Sequence, residues 1–321
     1  MRGSSERLVL FKFVTEMHTM FFSKGVVVGL LMIAVSSVVA CSTPGIRANN
    51  ANRLAFPVFM IPRNLSAEGM TIKAFERVHK KGDVATVYIE GSGDVMVDRV
   101  RVSNDPTPKR PVGLELASHD TAPNVIWMAR PCQYGLGGAD CPTDMLTTRM
   151  FAPEILSAYK AMLDEIKSRY QLTGFHLVGF GSGGGLAALI TAARDDVKSL
   201  RTIAGLLDTA TYAKVHGLAG YELSLNPINV VPDLVNIPQH HYIAQYDQVI
   251  PNAVYHSYAQ AFADDRCLGY TFVQNVDHTY DWVENWPAFS RDIVTCVGPH
   301  PDDVERASRA RIYAPQIGPK K

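Results

Sequence analysis

The chain shows no excess of charge of either sign: 31 Lys and Arg meet 31 Asp and Glu, for a formal net charge of zero. The strongly basic face that marks nucleic-acid binders is not indicated, and nucleic acid is not an expected partner. Cysteine is scarce, five in all, with no C-x-x-C pair and no His cluster beside any of them. That spacing argues against a structural zinc site, and neither a metal nor another cofactor is expected. No internal repeat is present, and no Lys-Ser/Thr pair follows the glycines at 179–185, which sets aside a phosphate-binding P-loop. Long apolar runs are missing with one exception near the N-terminus. What remains is ordinary globular composition, 47% hydrophobic and 19% charged over 321 residues, enough for one large domain.

The exception spans residues 25–40, GVVVGLLMIAVSSVVA, shorter than the roughly 20 residues a membrane crossing needs and suited to the apolar part of a signal peptide. It ends in Val38-Val39-Ala40-Cys41. Small residues ahead of a Cys resemble a bacterial lipobox, in which the chain is cut before the Cys and the thiol carries diacylglycerol. An uncleaved anchor helix, or an ordinary signal with a chance Cys, are the alternatives. Ser42 behind a lipidated Cys41 implies the periplasmic face of the outer membrane, so the membrane would be met through the lipid anchor only. Met17 and Met20 are alternative starts. The expected organisation is a signal peptide at 1–40, a lipidated Cys and small polar tether at 41–52, one α/β domain at 53–298, and a tail at 299–321. With Cys41 lipidated, Cys132, Cys141, Cys267 and Cys296 are left, an even number in an oxidising compartment. Cys132 and Cys141 flank Gly135, Gly137 and Gly138, which suggests a local bridge and leaves Cys267 to pair with Cys296.

The domain reads as alternating strands and helices. Strand-like runs lie at 54–61, 70–77, 84–89 and 125–129, and later at 175–178, 200–207, 241–244 and 270–274. Short, β-branched or continuous apolar runs bounded by Gly and Pro suit buried strands of a mainly parallel sheet. Residues 153–170 carry Ile155, Tyr159, Met162, Leu163, Ile166 and Tyr170 on one helical face, with Pro153 in the first turn. Further helices are expected at 186–193, 251–264 and 281–296. Helices on both faces of such a sheet make a doubly wound α/β fold.

The segment LVGFGSGGGLAAL, residues 177–189, sits between a strand and an apolar helix. That is the setting of a nucleophile elbow, G-x-S-x-G, a sharp strained turn that exposes one side chain above the sheet. The residues two before and two after the apex press together and must be small. With Ser182 at the apex those neighbours are Phe180 and Gly184, and the ring is too large. With Gly181 at the apex they are Gly179 and Gly183. The steric rule therefore favours Gly181 where a serine should stand, leaving Ser182 as the next residue, whose N–H helps form an oxyanion hole. Asp247 follows a strand and precedes Val249-Ile250-Pro251; His278 follows the next strand. Ser, Asp and His in this chain order are those of a hydrolase triad, in which the carboxylate orients the imidazole and the imidazole takes the nucleophile's proton. Taken singly, Asp247 could cap a turn and His278 could be a surface histidine. Gly91-Ser92-Gly93, at the end of an earlier strand, could supply a second oxyanion donor. Asp208 is a weaker acid candidate or a helix cap, and His119, His240 and His241 are read as structural.

Several segments together resemble a family of bacterial α/β-hydrolase-fold lipoproteins and exported proteins. These are Tyr88-Ile89-Glu90-Gly91-Ser92-Gly93, Asp105-Pro106-Thr107-Pro108, Arg130-Pro131-Cys132-Gln133-Tyr134, the elbow at 177–184, Ser224-Leu225-Asn226-Pro227, and the Asp247 and His278 loops. The resemblance spans about residues 84–290 and implies the α/β-hydrolase fold and serine-hydrolase action on small ester-like substrates. It also implies two departures. The family's LVGYSGGG laid on LVGFGSGG puts the family's serine at Gly181, and an oxyanion-loop Asp becomes Ser92.

Three readings of function follow. The chain is an esterase-like hydrolase acting through Ser182, His278 and Asp247, a one-residue bulge restoring the hydroxyl to the apex. Alternatively it is a binding or structural lipoprotein that keeps the fold and pocket without the chemistry. The third reading takes Gly179 to Gly184 as G-x-G-x-x-G, a dinucleotide fingerprint. It is opposed by the late position of Asp208, by the strands that precede the motif and by an exported location.

Overall fold

The computed structural model describes residues 43–98, 101–136 and 141–297. The chain divides into two units, Met1–Ile46 and Arg47–Lys321. The signal-like stretch, Cys41 and the tail from 299 on lie outside the described residues. Among the described residues no helix is long and apolar enough to cross a membrane.

The first described element is helix α1, Thr43–Ala55. A polar tether is expected over 41–52, and the helix corrects this from residue 43 on. Ala51 and Ala55, one turn apart, are buried, and the Arg47 guanidinium donates to the carbonyls of Asp105 and Thr107. Small side chains here allow close packing. The expected strand at 54–61 is also displaced. Pro57 opens a short 3-10 turn, and Phe59 takes φ 59°, which breaks extended structure before strand β1, Ile61–Ala67.

Strands β2 (Met70–Val78), β3 (Val84–Ile89), β4 (Asn124–Met128), β5 (Gly174–Phe180), β6 (Val197–Ile203), β7 (Gln239–Ala244) and β8 (Leu268–Val273) follow. They form one eight-stranded sheet in the order β1-β2-β4-β3-β5-β6-β7-β8. β2 runs antiparallel to both neighbours, and the remaining pairs are parallel. Alternation along the strands sends successive side chains to opposite faces. Val87, Ile89, Ile126, Met128 and Leu177 enter one core; Tyr88, Val125, Trp127, Val178 and Phe180 enter the other.

The first core is closed by α3 (Pro153–Tyr170), α4 (Ser182–Ala192) and α7 (Asn252–Gln260). The second is closed by α1, α2 (Val112–His119) and α8 (Trp282–Phe289), with Trp282 and Trp286 fully buried. Between them in the chain come α5 (Thr209–His216) and the single turn α6 (Val231–Leu234). Helix α3 matches its periodicity: Ile155, Tyr159, Met162, Leu163 and Ile166 are buried, and Gln171 ends it in a left-handed conformation at φ 56°. Helix α8 stops at Phe289 rather than 296, with Pro287 inside its last turn. Neither α2 nor α5 is anticipated by the pattern.

Because β3, β5, β6, β7 and β8 run in the same direction, the segments after them emerge at one edge of the sheet, where open α/β sheets bind ligands. Those segments carry Glu90 to Gly93, Gly181, Asp208, Asp247 and His278.

Two disulfides join Cys132 to Cys141 and Cys267 to Cys296, as the spacing suggests. Their sequence separations are 9 and 29 residues. Loop-closure entropy assigns them about 3 and about 4 kcal/mol. Replacing Cys267 and Cys296 together by Ser should therefore lower the urea unfolding free energy at least as much as the same change at Cys132 and Cys141. Unfolding curves that are unmoved by either replacement, or by reductant, would contradict this account.

Candidate active site

The turn from β5 into α4 is built by glycines that have no room for a side chain. A Cβ on Gly179 would lie 2.3 Å from the Gly183 carbonyl oxygen, and one on Gly183 would lie 2.2 Å from that of Ile89. This is the crowding expected two residues either side of an elbow apex, so the apex is Gly181. Its φ of 54° and ψ of −123° belong to a region that side-chain-bearing residues rarely adopt. The backbone there is pinned by Gly181 N–H to the Ile203 carbonyl at 2.9 Å, and by the Leu206 and Gly184 amides donating to the Gly181 carbonyl.

His278, in the loop after β8, faces that apex. A Cβ built on Gly181 would lie 3.4 Å from His278 Nε2 and 3.6 Å from Cε1. His278 Nδ1 is 2.9 Å from Asp247 Oδ2. Asp247, after β7, is buried, and its Oδ1 accepts from the amides of Val249 and Ile250 at 2.8 and 2.7 Å. A carboxylate so held accepts a hydrogen bond from Nδ1–H, which leaves Nε2 as the nitrogen aimed at Gly181. The Trp282 indole donates to the His278 carbonyl at 3.1 Å, and the Phe180 ring lies 5.0 Å from the imidazole, centroid to centroid. Two loops far apart in sequence thus place an acid and a base as in a hydrolase triad.

Ser182 occupies the first turn of α4, and its Oγ is 2.6 Å from Ser92 Oγ in the loop after β3. The structure brings Ser182 to Ser92, not to His278, and shows no added residue at the elbow that would lift Ser182 to the apex. The Ser182 amide, first of its helix, has no intrahelical acceptor and lies at the positive end of the helix dipole. Gly91 Cα is 3.9 Å from the position of a Gly181 Cβ, so the Gly91-Ser92 loop borders the same spot.

Two site-building residues escape a reading of the sequence. Glu90 is fully buried, and its carboxylate accepts from the amides of Gly91, Gly113 and Leu114 and from the Trp127 indole, at 3.0 to 3.2 Å. Gln133, also fully buried, donates to the Gly91 carbonyl and accepts from the Arg130 amide, both at 3.0 Å. Together they fix the loop at Gly91, one through its amide and the other through its carbonyl. Both stand in segments that carry the family resemblance, which is the signal that could have found them.

The remaining candidates have structural roles. Asp208 Oδ1 caps α5 through the Ala210 and Thr211 amides and accepts from Asn226, while Oδ2 accepts from Ser257. His241 and His240 bond to Thr202 and Thr271, and burial pushes them down to about 3 and about 4. Among the described residues no group of three or more His, Cys, Asp or Glu stands ready to hold a metal ion. The dinucleotide reading is corrected: the clefts beside Gly179 and Gly183 are filled by the protein's own backbone, and Asp208 is engaged as a cap.

The fold is shared with a puromycin-hydrolyzing peptidase of Mycobacterium tuberculosis, at 12% identity and a TM-score of 0.52 over 73% of this chain and 38% of that one. A puromycin hydrolase complexed with PGG matches at 13% and 0.50, again over 73% and 38%. This chain thus spans well under half the length of those two proteins. With the strand order, these likenesses decide the architecture. The chain has the α/β-hydrolase fold. Est1E from Butyrivibrio proteoclasticus is similar at 12% identity, with a TM-score of 0.49 over 71% of this chain and 96% of that one. No family model matches the chain, and no curated protein matches it.

Burial raises the Glu90 carboxyl from its ordinary 4.5 to about 7, against the opposing pull of its four N–H donors. A group raised on folding contributes stability that is complete below the unfolded value and is lost as pH rises through the folded one. Relative to Glu90→Gln, the wild-type protein should therefore lose about 3 kcal/mol of unfolding free energy between pH 4.5 and about 7. Urea unfolding of both proteins across that range measures it; a pH-independent difference would contradict it.

Proposed function

We propose that this protein is an esterase-like α/β-hydrolase-fold lipoprotein of the bacterial envelope that receives small ester-like compounds but forms no acyl-enzyme. The observation that carries this reading is the 3.4 Å between His278 Nε2 and the position of a Gly181 Cβ. The base of a triad is aimed at the one place where a nucleophile's side chain belongs, and glycine has no oxygen there. Losing a triad nucleophile lowers covalent catalysis by orders of magnitude. The displaced-serine alternative is disfavoured by the bond from Ser182 to Ser92.

The surroundings suit a ligand with an apolar part. Tyr246 and Val249 beside Asp247, and Tyr280 beside His278, are all exposed large side chains on the loops that carry the acid and the base. Anchoring through Cys41, with the domain on the periplasmic face of the outer membrane, is supported by the run Val38-Val39-Ala40-Cys41 and by the even set of remaining cysteines that pair.

The test is covalent labelling by a fluorophosphonate probe. The wild-type protein should not be labelled, whereas Gly181→Ser should be, with the adduct mapped to position 181 by mass spectrometry. Stoichiometric labelling of the wild type at Ser182 would overturn the proposal.

A further inference from the structure

We infer that His278 and Asp247 hydrolyse esters by adding water directly to the carbonyl, without a covalent intermediate. The inference rests on the proposed reading of Gly181 as the apex and goes beyond it by assigning an activity to the acid–base pair that remains.

The geometry in front of the base is what supports it. The position of a Gly181 Cβ, 3.4 Å from Nε2 and 3.6 Å from Cε1, is also 3.9 Å from Gly91 Cα, and these are its nearest heavy atoms apart from Gly181, Phe180 and Ser182. All three are ordinary van der Waals separations or close to them, so a side chain attached at Gly181 would reach His278 without displacing it. The His278 side chain is 16% exposed, and among the described residues no protein group bonds its Nε2, so a water oxygen can approach that nitrogen to hydrogen-bonding distance, about 2.7 to 3.2 Å. A serine would set its own hydroxyl toward Nε2; glycine supplies none.

The chemistry around that point is complete apart from the nucleophile. Nε2 is the basic nitrogen, because Nδ1 faces Asp247 Oδ2 at 2.9 Å and the carboxylate is fixed by two amides. The amide of Ser182 opens α4 next to Gly181, and a helix N-terminus favours a developing oxyanion. The hydroxyls of Ser92 and Ser182 are engaged with each other at 2.6 Å.

The step balances with water as co-reactant. Nε2 takes one proton from water as its oxygen bonds to the ester carbonyl carbon, and the carbonyl π electrons move onto oxygen. The tetrahedral oxyanion then collapses and expels the alkoxide. His278 returns the proton to that leaving oxygen, giving one carboxylic acid and one alcohol. General-base assistance of this type contributes about 10²- to 10⁴-fold.

Hydrolysis of 4-nitrophenyl butyrate by the full chain in detergent tests this. Wild type should show linear progress curves with no burst, and His278→Gln should lower kcat/KM by about 10²-fold or more. Gly181→Ser, assayed alongside, should gain a burst of one equivalent and reports that the site is folded. If wild type and His278→Gln both run at the buffer rate while Gly181→Ser bursts, direct water attack is overturned and the vacated apex stands. A burst in wild type with probe labelling at Ser182 overturns both.

Discussion

The architecture of the site depends on backbone pressing against backbone where β5 turns into α4. Gly179 and Gly183 meet at a separation that admits no Cβ, and Gly183 meets Ile89 of the neighbouring strand as closely. Once that contact is made, the residue between them must be the apex, and its positive φ follows. The rigid turn then sets which side chain can face His278. Here the apex residue, Gly181, carries no side chain. Phe180, excluded from the crowded position, turns instead toward the imidazole, where its ring shields one side of the base.

A second constraint keeps the opposite wall of the site in place. Glu90 and Gln133 are buried polar groups whose hydrogen bonds all go to the segments around the Gly91-Ser92 loop. Leaving such groups unpaired costs more than their bonds contribute when made, so the loop has little freedom to depart from its seat. The Cys132–Cys141 bridge closes the segment that holds Gln133. The acid–base pair is likewise held from outside itself, by two amides on Asp247 and an indole on His278. The acid–base pair and the Gly91 loop are thus each held by buried partners around an apex without a hydroxyl.

Much of this was legible in the sequence because the decisive physics is local. The elbow register follows from the sizes of residues 179 to 184, and the strand–helix alternation from apolar runs and turn residues. Asp247 and His278 could be placed by chain order. What was not legible depends on partners distant in sequence. Glu90 binds Gly113 and Leu114, 23 and 24 residues on, and Ser92 meets Ser182 across 90 residues. Helix α1 reads as a tether because its small residues carry little amphipathic signal until a surface receives Ala51 and Ala55. Helices α2 and α5, at 8 residues each, are too short for periodicity to separate them from loops.

The most direct measurement of the central claim is a crystal structure of wild type beside Gly181→Ser. The account predicts an unchanged turn in both, His278 bonded to Asp247 through Nδ1, and in the variant a new hydroxyl about 3 Å from Nε2. A wild-type structure with the Ser182 hydroxyl on His278 Nε2, or a turn that must rearrange to accept the substitution, would contradict it.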